Sequence, residues 1–171
     1  MPSEAPSPVR IRDCSPADHD AIVALSLRAW TPVFGSIGDV LGEELSTLLH
    51  GEDWSVHQAR EVRETLGDAS QQVWVAEAGA GIAGFAAAAV FDAQRKLGEL
   101  SMLAVDPAAQ GRGVGRALVE QAASWLREQG MRVAMVETGG DAGHAAARRL
   151  YQREGFRPMP VTRYFRALPP A

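Results

Sequence analysis

The chain has 171 residues, of which 46% are hydrophobic and 22% are charged, proportions typical of a globular protein with a sizeable buried core. Its formal net charge is −4, which argues against a broad nucleic-acid-binding surface, because such a surface needs clustered basic residues. The single cysteine, Cys14, cannot form an intramolecular disulfide. No signal-like segment or long apolar stretch is visible, so we expect a cytoplasmic protein without a membrane span.

The N-terminal part of the sequence predicts a strand followed by helices. Residues 1–8, rich in Pro and Ser, are expected to form a flexible tail, and residues 9–171 a single domain. Residues 9–12 alternate apolar and charged side chains, as a short edge strand does. Ser15-Pro16 is typical of a helix start, and the following apolar spacing predicts a helix that ends near Trp30. Further helices are predicted over residues 40–49 and 57–66.

From Gln71 onwards the hydrophobic pattern changes from helical to strand-like. The later elements are predicted as strands over residues 73–76, 82–91, 97–105, 131–137 and 161–168, with helices from the turn after residue 110 to Gly130 and over residues 141–154. This order indicates a mixed α/β domain with antiparallel strands at the front and a parallel crossover in the second half.

A glycine-rich turn lies between the strand ending at Val105 and the helix that follows. It reads Gln110-Gly111-Arg112-Gly113-Val114-Gly115-Arg116. Unpaired backbone N–H groups and the helix dipole favour an anion there, and the two arginines add positive charge. The turn lacks the Gly-Lys-Ser/Thr ending of a P-loop, and it does not read Gly-x-Gly-x-x-Gly. It therefore predicts an anion site of another class.

Two segments together resemble the signatures of the GNAT superfamily of N-acetyltransferases. Gln110-x-x-Gly113-x-Gly115 is similar to the family's Gln/Arg-x-x-Gly-x-Gly/Ala motif, and Val105-Asp106-Pro107 precedes it as the family pattern expects. Residues 147–156, which carry Leu-Tyr and end in Gly-Phe, resemble the second signature. The resemblance implies acetyl-CoA as co-substrate. It also implies an α/β fold in which a mostly antiparallel sheet with a parallel splayed pair is flanked by helices.

The resemblance also implies the cofactor-binding residues. The backbone of Leu103, Ala104 and Val105 would pair with the pantetheine arm of CoA. The pyrophosphate would be bound by the turn, that is by Gln110, Gly111, Arg112, Gly113, Val114, Gly115 and Arg116. Many family members have asparagine at the position of His144. Two interpretations of His144 stay open, a contact with the CoA arm and a surface histidine at a helix N-terminus.

Acetyl transfer to an amine requires a proton donor for the departing thiolate and a proton acceptor for the amine. Tyr151 occupies the position where the family usually has its general acid, although a tyrosine that only packs in the core remains the alternative. Glu99 is the predicted base by resemblance to several relatives, and Glu137, at the end of the next strand, is the second candidate. Each of these carboxylates is equally compatible with an exposed strand-end charge.

The charge distribution gives limited information on the acceptor. Residues 31–70 carry eight acidic residues against two arginines, which would suit a cationic amine, and Trp30, Phe34 and Trp54 are candidates for an aromatic wall. Both features are equally typical of ordinary helix faces and core. We expect a small-molecule or peptide amine as substrate, no nucleic-acid or membrane partner, and a homodimer as one possible assembly. The predominance of arginine over lysine suggests a GC-rich bacterium.

Competing functions remain at this stage. Residues 79–84 read Gly-x-Gly-x-x-Gly after a strand, which would fit a dinucleotide site, although a hairpin also explains them. A catalytically weak acyl-CoA-binding regulator and a toxin that acetylates aminoacyl-tRNA are further alternatives. The acidic charge weighs against the toxin. His19, His50, His57 and His144 lack metal-ligand spacing, so no metal is expected.

Overall fold

A computed structural model describes residues 8–79 and 81–170 of the chain. The expected N-terminal tail lies outside the described residues except for Pro8. The strands are β1 (Arg10–Asp13), β2 (Gln72–Ala78), β3 (Gly81–Asp92), β4 (Leu97–Val105) and β5 (Val133–Met135). The helices are α1 (His19–His50), α2 (Trp54–Gly67), α3 (Val114–Glu128) and α4 (Ala145–Arg153).

The strands form one sheet in the order β1-β2-β3-β4-β5. Strands β1 to β4 pair antiparallel, whereas β5 runs parallel to β4. The β4–β5 pairing covers only Leu97–Glu99 against Val133–Met135, so the second half of β4 has no described strand on that edge. The predicted mixed sheet with a splayed parallel pair is confirmed.

The sheet separates two apolar clusters, one on each face. On one face, α3 packs its Leu118 and Ala122 against β3 and β4 residues that include Leu100. On the other face, α1 and α2 pack Ile22 and Val62 against the sheet in a second cluster. The α3 face therefore supports the glycine-rich turn at the start of α3, and the opposite face lies under α1 and α2.

Helix α1 continues through Pro32, so the predicted end near Trp30 is wrong. A proline inside a helix removes one backbone hydrogen bond. Pro32 leaves the Arg28 carbonyl without its helical donor, while Val33, just beyond the proline, is buried. The burial gained beyond the proline favours continuation. The helical backbone is interrupted ten residues later instead, at Gly42, with φ +78°.

The segment from Pro16 to His50 is long and apolar enough to span a bilayer, judged by length and composition alone. Its Ile22 and Leu25 are almost completely inaccessible because they pack against the sheet. A core helix of a folded domain has these same properties. Only 22% of the apolar 18-residue window that meets this criterion is buried, so packing against the sheet accounts for part of the apolar character of the helix.

The predicted closing strand over residues 161–168 is wrong, because the described residues from 156 to 170 form no helix or strand. Val161 and Tyr164 are 77% and 89% exposed, so no apolar burial stabilises a strand there. The C-terminal segment contacts the rest of the domain through an ion pair between Arg163 and Glu137, at 2.8 Å.

The glycines between residues 79 and 84 belong to the β2–β3 hairpin. β3 starts at Gly81 and pairs antiparallel with β2, so no helix follows the turn. A dinucleotide site needs a helix N-terminus at this point. The dinucleotide-binding alternative is therefore wrong.

We expect Gly84→Ala to destabilise the fold by about 1–3 kcal/mol, since added core volume forces backbone shifts. A Cβ on Gly84 would lie 2.8 Å from the carbonyl oxygen of Ala104 and 3.1 Å from Leu118. Gly81→Ala in the same strand is the matched control, because a Cβ there meets no atom within 4 Å. Urea unfolding of both variants measures the difference, and equal free energies of unfolding would contradict the predicted close packing.

Candidate active site

The glycine-rich turn lies between a short 3₁₀ turn (Pro107–Ala109) and α3. Gly111 and Gly113 have φ of +75° and +83°, a region that other residues enter only with strain. The first backbone bond of α3 runs from Ala117 N–H to the Gly113 carbonyl at 3.0 Å. The N–H groups of residues 113–116 therefore have no acceptor within the helix and are available to an anion.

The start of the turn is fixed by a pair that the sequence did not reveal. Asp106 accepts from Arg28 of α1 at 2.5 Å and from the Ala108 N–H at 2.9 Å. The Arg28 hydrogen bond, with the Ala108 N–H, holds the pKa of Asp106 below its usual range. This ion pair connects α1 to the turn across 78 residues of sequence, a contact that local pattern cannot predict.

The two arginines of the turn lie in different surroundings. Arg116 pairs with Glu120 at 2.9 Å and lies 3.9 Å from Glu154, and the hydrogen bond to Glu120 raises its pKa. Arg112 lies on the exposed part of the turn. Arg112 therefore has the freer guanidinium for an approaching phosphate, whereas Arg116 would first have to leave its carboxylate partners.

Helix α4 packs directly over the start of α3. Gly115 makes this possible, because a Cβ at that position would lie 2.9 Å from the Leu150 side chain. The next residue, Tyr151, is buried and meets Phe156 edge-to-face at 5.8 Å. Burial raises the pKa of Tyr151 to about 12. The fold thus brings the two signature segments into contact.

The unpaired half of β4 follows Glu99, the last residue paired with β5. Leu103 to Val105 pair with β3 on one edge only, among the strands that the structure describes. Their other edge can accept an added extended chain, as an edge strand does. Ser101 lies at a bulge in β4, where its hydroxyl donates to the Ala87 carbonyl.

Glu99 lies at the point where the opening between β4 and β5 begins. Its carboxylate is partly buried, and burial, with the negative charge of Glu137, raises its pKa. Glu137 is instead exposed and bound to Arg163 at 2.8 Å. Of the two predicted bases, Glu99 has the surroundings that favour a proton acceptor near neutral pH.

His144 lies at the N-terminus of α4 and is not a free surface side chain. Its Nδ1 is 2.5 Å from Asp141 Oδ1, and its side chain is 20% exposed. Asp141 also accepts from the Gly143 N–H at 3.0 Å, and Gly143 contacts Ser36 of α1. The sequence did not predict this cluster, because Ser36 and Gly143 are 107 residues apart.

The aromatic residues considered for the acceptor wall divide into two groups. Phe34 and Trp54 stack at 4.4 Å between ring centroids, whereas Trp30 packs against Phe85 in the core. Beside the stacked pair, at the α1–α2 junction, lies an open cleft of about 400 Å³. The residues that line it are Leu49, His50, Gly51, Glu52, Asp53, Val56, His57 and Arg60. Within the described part of the chain, no group of three or more potential ligands could hold a metal ion.

The family model of the acetyltransferase (GNAT) domain matches residues 69–158, more than half of the chain. Mycothiol acetyltransferases are among its relatives. That of Acidothermus cellulolyticus is 32% identical over 157 residues, covering 91% of this chain and 47% of the relative. That of Beutenbergia cavernae is 48% identical over 64 residues, covering 37% of this chain and 21% of the relative. The chain thus spans about half or less of these relatives' length.

Solved structures share the fold. A protein described as a GNAT-family acetyltransferase from Desulfovibrio desulfuricans matches with a TM-score of 0.63 and 25% identity, over 90% of this chain and 87% of that one. The aminoglycoside N-acetyltransferase AAC(6')-Iy, solved with CoA, matches with a TM-score of 0.65 and 16% identity, over 98% and 99%. With the glycine turn, the splayed strands and the α3–α4 contact, these matches lead to one conclusion: the chain belongs to the GNAT family of acetyltransferases.

Proposed function

We propose that the protein transfers the acetyl group of acetyl-CoA to a primary amine of a small molecule or peptide, by direct attack of the amine on the thioester. The observation that carries this proposal is the contact between α3 and α4. Gly115 of α3 lies against Leu150 of α4, next to the buried Tyr151, and so links the helix that starts at the anion-binding turn to the helix that carries the phenol. An anion-binding turn and a protonated phenol are the two parts that this chemistry needs.

The cofactor would lie along the open edge of β4. Its pyrophosphate would bind the backbone of residues 110–116, and its pantetheine arm would pair with Leu103 to Val105. The thioester would then lie towards Glu99, where β4 and β5 separate. In neighbouring structures, such as the aminoglycoside acetyltransferase above, CoA is present.

The proton steps follow from the environments of two residues. Glu99 accepts a proton from the ammonium form of the substrate, and its raised pKa brings it closer to neutral pH. The neutral amine attacks the thioester carbonyl, and the C–S bond breaks as Tyr151 donates its proton to the thiolate. Burial, which keeps the phenol protonated across physiological pH, suits Tyr151 to this role.

The acceptor proposed is a cationic small-molecule amine. Residues 31–70 carry a net charge of −6, with eight acidic residues and two arginines, and they contribute the cleft beside Phe34 and Trp54. A negative surface attracts cations and raises their local concentration. Relatives named for mycothiol and aminoglycoside acetylation also support small-molecule amines as the class to test.

Calorimetric titration of the purified protein with acetyl-CoA, and separately with NAD, tests the cofactor. We expect saturable acetyl-CoA binding and no heat with NAD. The protein with acetyl-CoA is then incubated with aminoglycosides, amino sugars, diamines, amino acids and short peptides, and the release of free CoA thiol is measured. No acetyl-CoA binding would contradict the proposal, while binding without transfer to any amine would favour the acyl-CoA-binding regulator.

A further inference from the structure

The Asp141–His144 pair lies in the loop between β5 and α4 and has no role in the mechanism above. His144 Nδ1 contacts Asp141 Oδ1 at 2.5 Å. When Nδ1 carries the proton, it donates to the carboxylate, and Nε2 keeps a free lone pair. The asparagine that many family members have at this position cannot accept a proton. His144 therefore adds an acid–base group to this chain.

The surrounding loop holds this pair in place. The Arg148 guanidinium donates to the carbonyls of Gly139 at 2.6 Å and Asp141 at 2.7 Å. Gly139 must be glycine for the pair to form, because a Cβ there would lie 2.6 Å from His144 Nδ1 and would overlap the Asp141 carboxylate. Burial raises the pKa of Asp141, but hydrogen bonds from Ser36 and His144 outweigh it and lower the pKa below its usual value. The carboxylate is thus kept charged beside the imidazole.

The loop that carries this pair adjoins α4, which carries Tyr151, and α1, which contributes to the proposed acceptor cleft. His144 and Tyr151 are seven residues apart at α4, which is about two helical turns, so they lie on the same side of the helix. Ser36 connects the loop to α1, whose side of the sheet carries the proposed acceptor cleft. The loop also follows the point where β5 leaves β4, next to Glu99.

We infer that His144 is a second proton acceptor in the reaction and that Asp141 is its positioning residue. The inference rests on the proposed acetyl transfer. A primary ammonium must lose two protons to become an amide, and Glu99 takes only the first. After the C–N bond forms, the nitrogen of the tetrahedral intermediate is still positively charged, and this second proton passes to His144 Nε2.

The proton balance then closes. The C–S bond breaks, the thiolate takes the Tyr151 proton, and the acetylated amine leaves neutral. His144 and Glu99 each release one proton to solvent, and the Tyr151 phenolate takes one back. The net reaction converts one ammonium and one thioester into one amide, one thiol and one released proton. No oxidant, metal or further co-reactant is required.

The contact with Asp141 sets the expected effect of removing that carboxylate. Asp141 Oδ1 holds His144 Nδ1, which fixes the orientation of the ring and leaves Nε2 as the nitrogen that can accept a proton. Asp141→Asn weakens this contact, so kcat should fall while Kd for acetyl-CoA changes much less.

The test uses His144→Asn, which installs the residue common in the family. With saturating acetyl-CoA and the best acceptor from the amine panel, we expect kcat to fall roughly tenfold or more. Calorimetric Kd for acetyl-CoA should change less than about twofold, because the substitution leaves the glycine-rich turn and the open edge of β4 unaltered. Glu99→Gln is measured in parallel as the variant that lacks the first acceptor, and its kcat should also fall.

Two results would overturn the inference. One is an unchanged kcat and pH profile in His144→Asn, and the other is weaker acetyl-CoA binding whose effect disappears at saturation, which would make His144 a cofactor contact only. If His144→Asn melts far below the parent, the Asp141→Asn variant decides, and an unchanged kcat in that variant contradicts the inference. Failure of the parent protein itself to acetylate any amine would instead contradict the proposed function.

Discussion

Replacing Tyr151 by phenylalanine is expected to lower kcat by about 100- to 10,000-fold, the usual contribution of a positioned general acid. The ring itself is buried and packs edge-to-face on Phe156, and phenylalanine preserves both properties. The fold and the acetyl-CoA site should therefore remain intact, with Kd changed less than about threefold and only the proton donor lost. Stopped-assay kinetics and calorimetry measure the two quantities.

The chain offers a matched control for this substitution. Tyr164→Phe removes the same hydroxyl from a side chain that is 89% exposed in the C-terminal segment. It should leave kcat unchanged. Because burial raises the pKa of Tyr151 to about 12, ionisation of the phenol should not reduce the parent's kcat at or below pH 10. Equal turnover of Tyr151→Phe and the parent would show that Tyr151 only packs in the core.

Gly113→Glu is expected to weaken acetyl-CoA binding by more than about 100-fold. The substitution places a carboxylate at the N-terminus of α3, where it repels the pyrophosphate and competes for the same N–H groups. Gly113 has φ +83°, so a side chain there also costs about 1–2 kcal/mol of backbone strain. A Cβ at Gly113 meets no atom within 4 Å, so the fold can accept the side chain.

Backbone strain has to be separated from charge in this experiment. Gly130→Glu is the control, because Gly130 has φ +80°, also meets no atom within 4 Å, and follows the opposite end of the same helix. Both variants should lose thermal stability, Gly130→Glu somewhat more because its carboxylate lies near the negative end of the helix dipole, but only Gly113→Glu should lose acetyl-CoA affinity in calorimetry. An unchanged Kd in Gly113→Glu would show that the cofactor does not bind at this turn.

The sequence predicted the sheet-forming half of the chain well, for local reasons. The apolar runs between Gln71 and Val105, separated by turn residues, predict three consecutive strands, and β3 is a continuous apolar run because both of its faces are buried. Glycines with positive φ at Gly111 and Gly113 likewise mark the turn. By contrast, Pro32 wrongly predicted a helix end, since burial of Val33 beyond it outweighs one lost hydrogen bond.

The C-terminal prediction was wrong for a different reason. Residues 161–168 have apolar residues compatible with a strand, yet in the structure they form none and remain mostly exposed. A strand is stabilised by a partner strand and by burial, which depend on tertiary neighbours rather than on local pattern. For the same reason, the strand predicted over residues 131–137 is shorter in the structure. It covers only Val133–Met135, the part that pairs with β4.

The sequence by itself determined the family, the glycine-rich turn and the candidate acid Tyr151, since each depends on residues close together in the chain. Only the tertiary structure decided the surroundings that give these residues their chemistry. It showed the burial that raises the pKa of Tyr151, the position of Glu99 where β4 and β5 separate, and the contact of Ser36 with the Asp141–His144 loop. Burial and long-range contacts arise when distant segments pack together, so no local pattern records them.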